Sequence, residues 1–116
     1  MTELIYLASP YSHPDPVVRQ MRSEAVCKVA GKLFRDGLMV FCPIAHSHPI
    51  CVYGECSGGF DFWEAYDRLM LSKCSALYVC CLQGWDASIG VQAEIEFAKE
   101  LGLPITFVDE NGDRLS

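Results

Sequence analysis

Residues 76–101 constrain the fold more than any other part of the chain. The segment begins with an apolar run, residues 76–82, of the kind found in strands that are buried on both faces. A polar turn follows, and an amphipathic helix then begins at Ser88, a favourable N-cap residue, and ends at Gly102. A strand, a short turn and a helix in this order predict an α/β fold with a parallel sheet.

Three further apolar runs, at residues 4–8, 38–42 and 103–108, predict the other strands of this sheet. Between the first two, Asp15 and Pro16 predict the start of a helix that ends at Gly37. We therefore predict a single domain over residues 1–116. Its fold is a three-layer α/β sandwich, flavodoxin-like or Rossmann-like, with four or five parallel strands in the order 2-1-3-4.

Two finer predictions concern the elements around the sheet. The helical period predicts that the first helix buries a stripe made of Val18, Met21, Ala25, Val29 and Leu33. Residues 43–59 contain two prolines and three glycines and show no period, which predicts an irregular segment. A helix is predicted over residues 61–73.

Composition and charge exclude several classes of partner. The net charge of -6 at pH 7 disfavours a nucleic-acid polymer or an anionic membrane, since both bind basic surfaces. No apolar run approaches the ~20 residues of a membrane span, and no basic region precedes the first apolar stretch. We expect a cytoplasmic protein that binds a small molecule.

The cysteines predict reduced thiols within the core. Their number, seven, is odd, and Cys80 and Cys81 are adjacent in a predicted strand. A zinc-stabilised interaction domain is the alternative, because five potential ligands lie close together in the sequence: Cys42, His46, His48, Cys51 and Cys56. Their spacing matches none of the common zinc patterns, so we predict no metal.

Two carboxylates fall on helix faces that are otherwise apolar. At about 100° per residue, Glu94 lies between Val91 and Phe97, and Asp67 lies at the centre of the apolar arc of its helix. A carboxylate that faces the core costs free energy unless it is paired or borders a cavity. We therefore predict a cleft at the carboxyl ends of the strands, where open α/β sheets bind ligands. A purely structural role, in hydrogen bonds to backbone or an ion pair, is the alternative for both.

Polar turns follow strands 1 and 3, which are neighbours in the predicted order. We predict that substrate-binding residues lie in these turns and at the start of the next helix: Ser9, Tyr11, Ser12, Asp86, Ser88 and Gly90. The Ser88 cap and the N–H groups around Gly90 suit an oxygen-rich part of a substrate. Four aromatic residues are candidates for stacking on a nucleobase or for core positions: Tyr6, Tyr11, Trp63 and Trp85.

Paired carboxylates suit chemistry at an acetal-like carbon. Cleavage of a glycosidic bond builds positive charge on the sugar, so Glu94 can attack C1′ while Asp67 handles the proton of the leaving base. This chemistry needs no cofactor, and we expect none.

Three stretches resemble the signature regions of the nucleoside 2-deoxyribosyltransferase superfamily. They are YLASPY at residues 6–11, Asp67 eight residues before Ser75, and SIGVQAE at residues 88–94. Within the superfamily the chain most resembles short bacterial proteins of the DUF1937 type. The resemblance implies that Glu94 is the covalent nucleophile, that Asp67 assists the base, and that Tyr6 and Ser88 contact substrate. It also implies a homo-oligomer, a dimer or tetramer, whose clefts are completed by a neighbouring subunit.

The chain departs from the superfamily in two places. In the N-glycosidase branch an arginine in the loop after strand 1 holds the 5′-phosphate, whereas this loop reads SPYSH at residues 9–13. Residues 43–59 have no counterpart. The sequence predicts an enzyme that cleaves or transfers at the N-glycosidic bond of a nucleoside or nucleotide through a glycosyl-Glu94 intermediate. The alternative is a nucleotide-binding or sensing module that has the same fold but no chemistry.

Overall fold

A computed structural model describes residues 3–56 and 60–115 of the chain. In chain order its elements are β1 (Leu4–Ala8), α1 (Pro16–Arg35), β2 (Met39–Phe41), α2 (Pro43–Gly54), α3 (Phe60–Ser72), β3 (Ala76–Cys80), a short 3-10 helix (Trp85–Ala87), α4 (Ile89–Leu101) and β4 (Ile105–Val108). Within the described residues, none of the helices is long and apolar enough to cross a membrane.

The strands form one parallel sheet in the order β2-β1-β3-β4, which confirms the predicted fold class and strand order. Side chains of β1 alternate between the two faces of the sheet. Ile5 and Leu7 pack with buried residues of α1, whereas Tyr6 and Ala8 pack with those of α3 and α4. This alternation directs the Tyr6 ring towards the two helices that carry Asp67 and Glu94.

The predicted helix caps are confirmed. Ser88 caps α4, and its Oγ accepts a hydrogen bond from the Val91 N–H at 3.2 Å. Gly102 ends α4 with φ of 72°, a left-handed conformation that costs glycine little. Asp15 caps α1 in the same way as Ser88 caps α4, and Pro16 occupies its first turn. The Asp15 and Ser88 caps therefore fix the helix ends that follow the carboxyl ends of β1 and β3.

The buried face of α1 differs from the predicted stripe. Met21 is 61% exposed, so its assignment to the core was wrong. The buried residues of α1 are Ser23, Val26, Val29, Ala30 and Leu33. This face is rotated from the predicted one by about a quarter of a turn. Met21 misled the prediction, because it is apolar and lies one turn before Ala25 in the predicted stripe, yet it is exposed.

The prediction of an irregular segment at residues 43–59 was wrong for most of its length, because residues 43–54 form α2. Pro43 stands in the first turn, where its missing N–H costs no hydrogen bond, and Glu55 ends the helix in a left-handed conformation. Pro49 lies inside the helix, and that proline concealed the helix from sequence inspection. Residues 57–59 lie outside the described residues.

Candidate active site

The inward carboxylate of α4 meets the hydroxyl of a fully buried tyrosine. Tyr6, in β1, donates a hydrogen bond from its hydroxyl to Oε2 of Glu94. Its ring also packs against Phe41 of β2, with ring centroids 5.7 Å apart. Glu94 forms none of the ion pairs found among the described residues. A tyrosine hydroxyl therefore holds this carboxylate, and no basic side chain in the described part of the chain forms an ion pair with it.

Asp67 and Glu94 border the same narrow crevice between α3 and α4. Its lining consists of Glu64, Asp67, Arg68 and Leu71 from α3 with Ala93, Glu94 and Phe97 from α4. The crevice encloses about 10 Å³, which is about the space that one water molecule needs. The two inward carboxylates predicted from helical periodicity thus share one opening. The positions of Glu64 and Arg68 in this lining were not predicted from the sequence.

Burial changes the acidity of both carboxyl groups. The carboxyl group of Glu94 is enclosed, although part of the residue is accessible to water. This burial raises the pKa of Glu94 to about 8, against the opposing hydrogen bond from Tyr6 and with a smaller contribution from the Asp67 charge. Burial raises the pKa of Asp67 to about 6. Between pH 6 and 8 the two carboxyl groups therefore hold about one proton between them.

Two buried polar atoms have no hydrogen-bond partner among the described residues. They are Oγ of Ser9, just beyond the end of β1, and Nε1 of Trp63, one helical turn before Asp67 in α3. Leaving a buried polar atom unpaired costs about 1–3 kcal/mol. Ser9 was predicted to contact substrate, but it is buried and lines neither the crevice nor any other described cavity.

Aromatic side chains of α2 and α3 form a series of ring contacts that begins at Phe41, the ring against which Tyr6 packs. The imidazole of His46 lies 6.3 Å from the Phe41 ring and stacks on the Tyr66 ring at 5.6 Å with an interplanar angle of 10°. Trp63 in turn packs edge-on against Tyr66. Sequence inspection did not predict that His46 stacks on Tyr66, because His46 belongs to the unrecognised helix α2. Proline directly after an apolar strand, at position 43, was the available signal for that helix.

Tyr11 and Ser12, two of the predicted substrate contacts, line a different and larger cavity. This cavity lies between the loop after β1, the beginning of α1, and α2; we call it the α1–α2 cavity, and its volume is about 660 Å³. The Tyr11 hydroxyl is hydrogen-bonded to Nδ1 of His48 at 2.6 Å. Neither Asp67 nor Glu94 is among the described residues that line it.

The remaining predicted contacts lie around the start of α4. Asp86 is exposed in the short 3-10 helix, Ser88 caps α4 and Gly90 lies in its first turn. None of the three lines the crevice or the α1–α2 cavity as described. The ring of Trp85 packs against Phe107, 5.5 Å between centroids, so Trp85 contributes to the core.

The side chains of the zinc alternative have other partners. Both ring nitrogens of His48 are within hydrogen-bond distance of other side chains, Nδ1 of Tyr11 and Nε2 of Gln20. Within residues 3–56 and 60–115 no three His, Cys, Asp or Glu side chains are grouped closely enough to hold a metal ion. All seven cysteines are free thiols, and Cys42, Cys74 and Cys80 are buried.

Comparison with known proteins places the chain in a family. No curated protein matches it. Among solved structures it is similar to the 2-deoxyribosyltransferase of the psychrotolerant bacterium Bacillus psychrosaccharolyticus, with a TM-score of 0.64 and 21% identity over 97% of this chain and 77% of that one. At this identity the similarity shows a shared fold. Residues 3–110 match the domain of unknown function DUF1937, and because this match covers nearly the whole sequence, the chain belongs to the DUF1937 family.

Proposed function

We propose that this protein is an enzyme that cleaves or transfers at the N-glycosidic bond of a (deoxy)nucleoside or nucleotide through a glycosyl-Glu94 intermediate. The observation that carries the proposal is the crevice that Glu94 and Asp67 share. The buried Tyr6 hydroxyl also donates a hydrogen bond to the Glu94 carboxylate. The fold shared with a 2-deoxyribosyltransferase supports a nucleoside as the substrate class.

Because the pKa of Glu94 is the higher of the two, the reactive form is the minority one in which Glu94 is ionised and Asp67 holds the shared proton. In the first step this Glu94 carboxylate attacks C1′ of the sugar while the bond from C1′ to the base nitrogen breaks. The electron pair of that bond passes to the base, which takes a proton from Asp67. In the second step water or another base attacks C1′, gives its proton to Asp67, and releases Glu94. Tyr6 favours the ionised form of Glu94 because its hydroxyl donates to the carboxylate.

The substrate needs more room than the crevice offers in this conformation, because about 10 Å³ holds one water molecule. The side chains that line it must therefore move when substrate enters. Arg68 is exposed and lies over the Phe97 ring at 3.9 Å from the centroid, and both residues line the crevice. A contact between an exposed guanidinium and a ring contributes only about 0.5–1 kcal/mol, so moving Arg68 away from Phe97 costs little free energy.

The direct test is incubation of the purified protein with a panel of nucleosides and nucleoside monophosphates, followed by chromatography for free base or an exchanged base. Turnover of at least one substrate supports the enzyme. Saturable binding to the Glu94 crevice without turnover of any substrate would instead identify a nucleotide-binding or sensing module.

The pH dependence of kcat/KM is expected to be bell-shaped. One proton must be shared by Glu94 and Asp67 in the reactive form, so activity rises through about pH 6 and falls above about pH 8. In Asp67→Asn only Glu94 has to ionise, so the fall above pH 8 should disappear and the maximal rate should drop about 10²–10⁴-fold. Initial rates from pH 5 to 10 test both points. An alkaline limb retained in Asp67→Asn would contradict the assigned role of Asp67.

Removing the Tyr6 hydroxyl is expected to weaken the nucleophile. Tyr6→Phe keeps the ring that packs on Phe41 but removes the hydrogen bond that lowers the pKa of Glu94. The pKa of Glu94 should therefore rise, the alkaline limb should move above pH 8, and the rate at pH 7 should fall about tenfold or more. Tyr78→Phe, in β3, is the matched control, because its hydroxyl accepts from Arg114 and not from the site. If the alkaline limb of the pH profile were unchanged in Tyr6→Phe, Tyr6 would have no role in ionising Glu94.

A further inference from the structure

The α1–α2 cavity has the size of a small-molecule site. Its volume of about 660 Å³ falls within the roughly 300–1,000 Å³ typical of ligand pockets. It lies outside the Glu94 crevice, and no residue is common to the two linings. Its described lining includes Tyr11, Ser12, Arg19, Gln20, His48 and Val52.

The charge of this cavity is opposite to that of the protein. The chain has 15 acidic and 9 basic residues, yet the described lining of the cavity contains no Asp or Glu and does contain Arg19. Nη1 of Arg19 donates to the backbone carbonyls of His13 and Pro14, which are neutral acceptors. Arg19 takes part in none of the ion pairs among the described residues. No carboxylate of the described residues therefore pairs with its positive charge.

The nearest carboxylate in sequence does not neutralise Arg19. The Asp15 side chain accepts from the Val17 N–H at 2.9 Å and so caps the beginning of α1. A guanidinium has five N–H donors; Arg19 uses Nη1 on His13 and Pro14 and also lies close enough to hydrogen-bond the Tyr11 hydroxyl. The remaining donors suit a carboxylate or phosphate, which a guanidinium binds with two parallel hydrogen bonds.

Part of the cavity wall is a hydrogen-bonded chain of Tyr11, His48 and Gln20. Nε2 of Gln20 donates in turn to the Glu24 carboxylate at 3.0 Å, which lies outside the described lining. Oε1 of Gln20 accepts from Nε2 of His48 at 2.7 Å, which leaves Nδ1 of His48 to accept from the Tyr11 hydroxyl. Because both nitrogens of His48 are used, the imidazole is fixed in one tautomer and is not free to bind a metal. This wall supplies a fixed surface for the uncharged part of a ligand.

We propose that the α1–α2 cavity binds a small organic anion through the Arg19 guanidinium. The ligand carries a carboxylate or phosphate group against Arg19 and an uncharged body against Tyr11 and His48. The site is separate from the crevice of Glu94 and Asp67, and it does not depend on the function proposed for that crevice.

Titration of the ¹⁵N-labelled full chain with two anions and their neutral counterparts tests the proposal. The probes are glycerol 3-phosphate with glycerol, and benzoate with benzamide. We expect saturable amide shifts around Ser12, Arg19 and His48 with at least one anion and none with its neutral counterpart; the phosphate and carboxylate arms distinguish the two ligand groups. Equal binding of the neutral compounds, no saturable binding of either anion, or shifts centred on Glu94 would overturn the proposal.

Matched variants assign the effect to Arg19. Arg19→Gln should weaken binding about tenfold or more, from the loss of a charged hydrogen-bond donor. Lys28→Gln removes the same charge from an exposed position of α1 and should leave binding unchanged, as should Glu94→Gln. Should Arg19→Gln fail to fold by circular dichroism, the wild-type affinity measured at rising NaCl concentration decides. Affinity should fall as salt rises, and affinity that is independent of salt would refute an ionic contact.

Discussion

Glu94→Gln is expected to reduce the rate of base release by at least about 10³-fold, since loss of the covalent nucleophile of a serine protease costs on the order of 10⁶ in kcat. Glutamine has the shape of glutamate and its amide oxygen can still accept the hydrogen bond from Tyr6. It cannot form the ester to C1′. The variant therefore removes the covalent step while keeping the packing around α4, so a loss of rate reports on chemistry.

Glu96→Gln is the matched control for this experiment. Glu96 lies two residues further along α4, is exposed, and pairs with Lys99 at 3.5 Å. Its replacement should leave the rate within about twofold of the wild type, since exposed ion pairs contribute little. Mass spectrometry of the wild type quenched during turnover should show one sugar residue attached to the peptide that contains Glu94. Full activity of Glu94→Gln would exclude the glycosyl-enzyme mechanism.

The sheet and α4 were predictable because their signals are local. Runs such as residues 76–82 are apolar over a whole strand, and Ser88 and Gly102 mark the two ends of α4 in the sequence itself. Glu94 was identified by the same means, because a carboxylate on an apolar helix face is visible from periodicity alone. The strand order followed from alternation of strands and helices, which permits few topologies.

Helix α2 and the buried face of α1 were not predictable from such signals. In α2, Val52 and Tyr53 are 56% and 87% exposed, so no apolar face repeats with the helical period, and Pro49 interrupts the pattern. In α1, exposed Met21 continues an apparent apolar stripe. Which face a helix buries depends on the elements that pack against it, and these come from distant parts of the chain.

The site was predictable in its acids but not in its surroundings. Helical periodicity predicted that Asp67 and Glu94 face inward. It gave no indication that the Tyr6 hydroxyl donates to Glu94, because these residues are 88 positions apart in the chain. Tyr11 and Ser12 were expected near the carboxylates because they follow β1. The chain instead directs them towards α2, where the Tyr11 hydroxyl meets His48. Since α2 had not been predicted, neither had the α1–α2 cavity.

The second large effect expected of Glu94→Gln is on stability, which should increase at high pH although activity is lost. The pKa of Glu94 is raised from 4.5 to about 8 in the folded protein. Between these values the folded state holds a proton that the unfolded state has lost, so the stability that this group contributes is complete below pH 4.5 and is lost as pH rises through 8. Asp67 adds a similar loss between pH 3.8 and about 6.

Glu94→Gln has no such proton to lose, and the contribution of Asp67 largely cancels between variant and wild type. The variant should therefore be similar in stability to the wild type near pH 5 and more stable at pH 9. We expect a difference in the free energy of unfolding of about 2–5 kcal/mol, from 1.4 kcal/mol per pKa unit reduced by the partial access of Glu94 to water. Urea unfolding at both pH values measures it.

A stabilised but inactive variant would separate a functional acid from a structural one. When a carboxylate stabilises the fold, through an ion pair or hydrogen bonds to backbone, its replacement lowers the stability of the protein. A carboxylate kept in an enclosed crevice for chemistry costs stability in its charged form, and its replacement returns that free energy. If Glu94→Gln were less stable than the wild type at pH 9, Glu94 would be a structural residue and the proposed mechanism would lose its nucleophile.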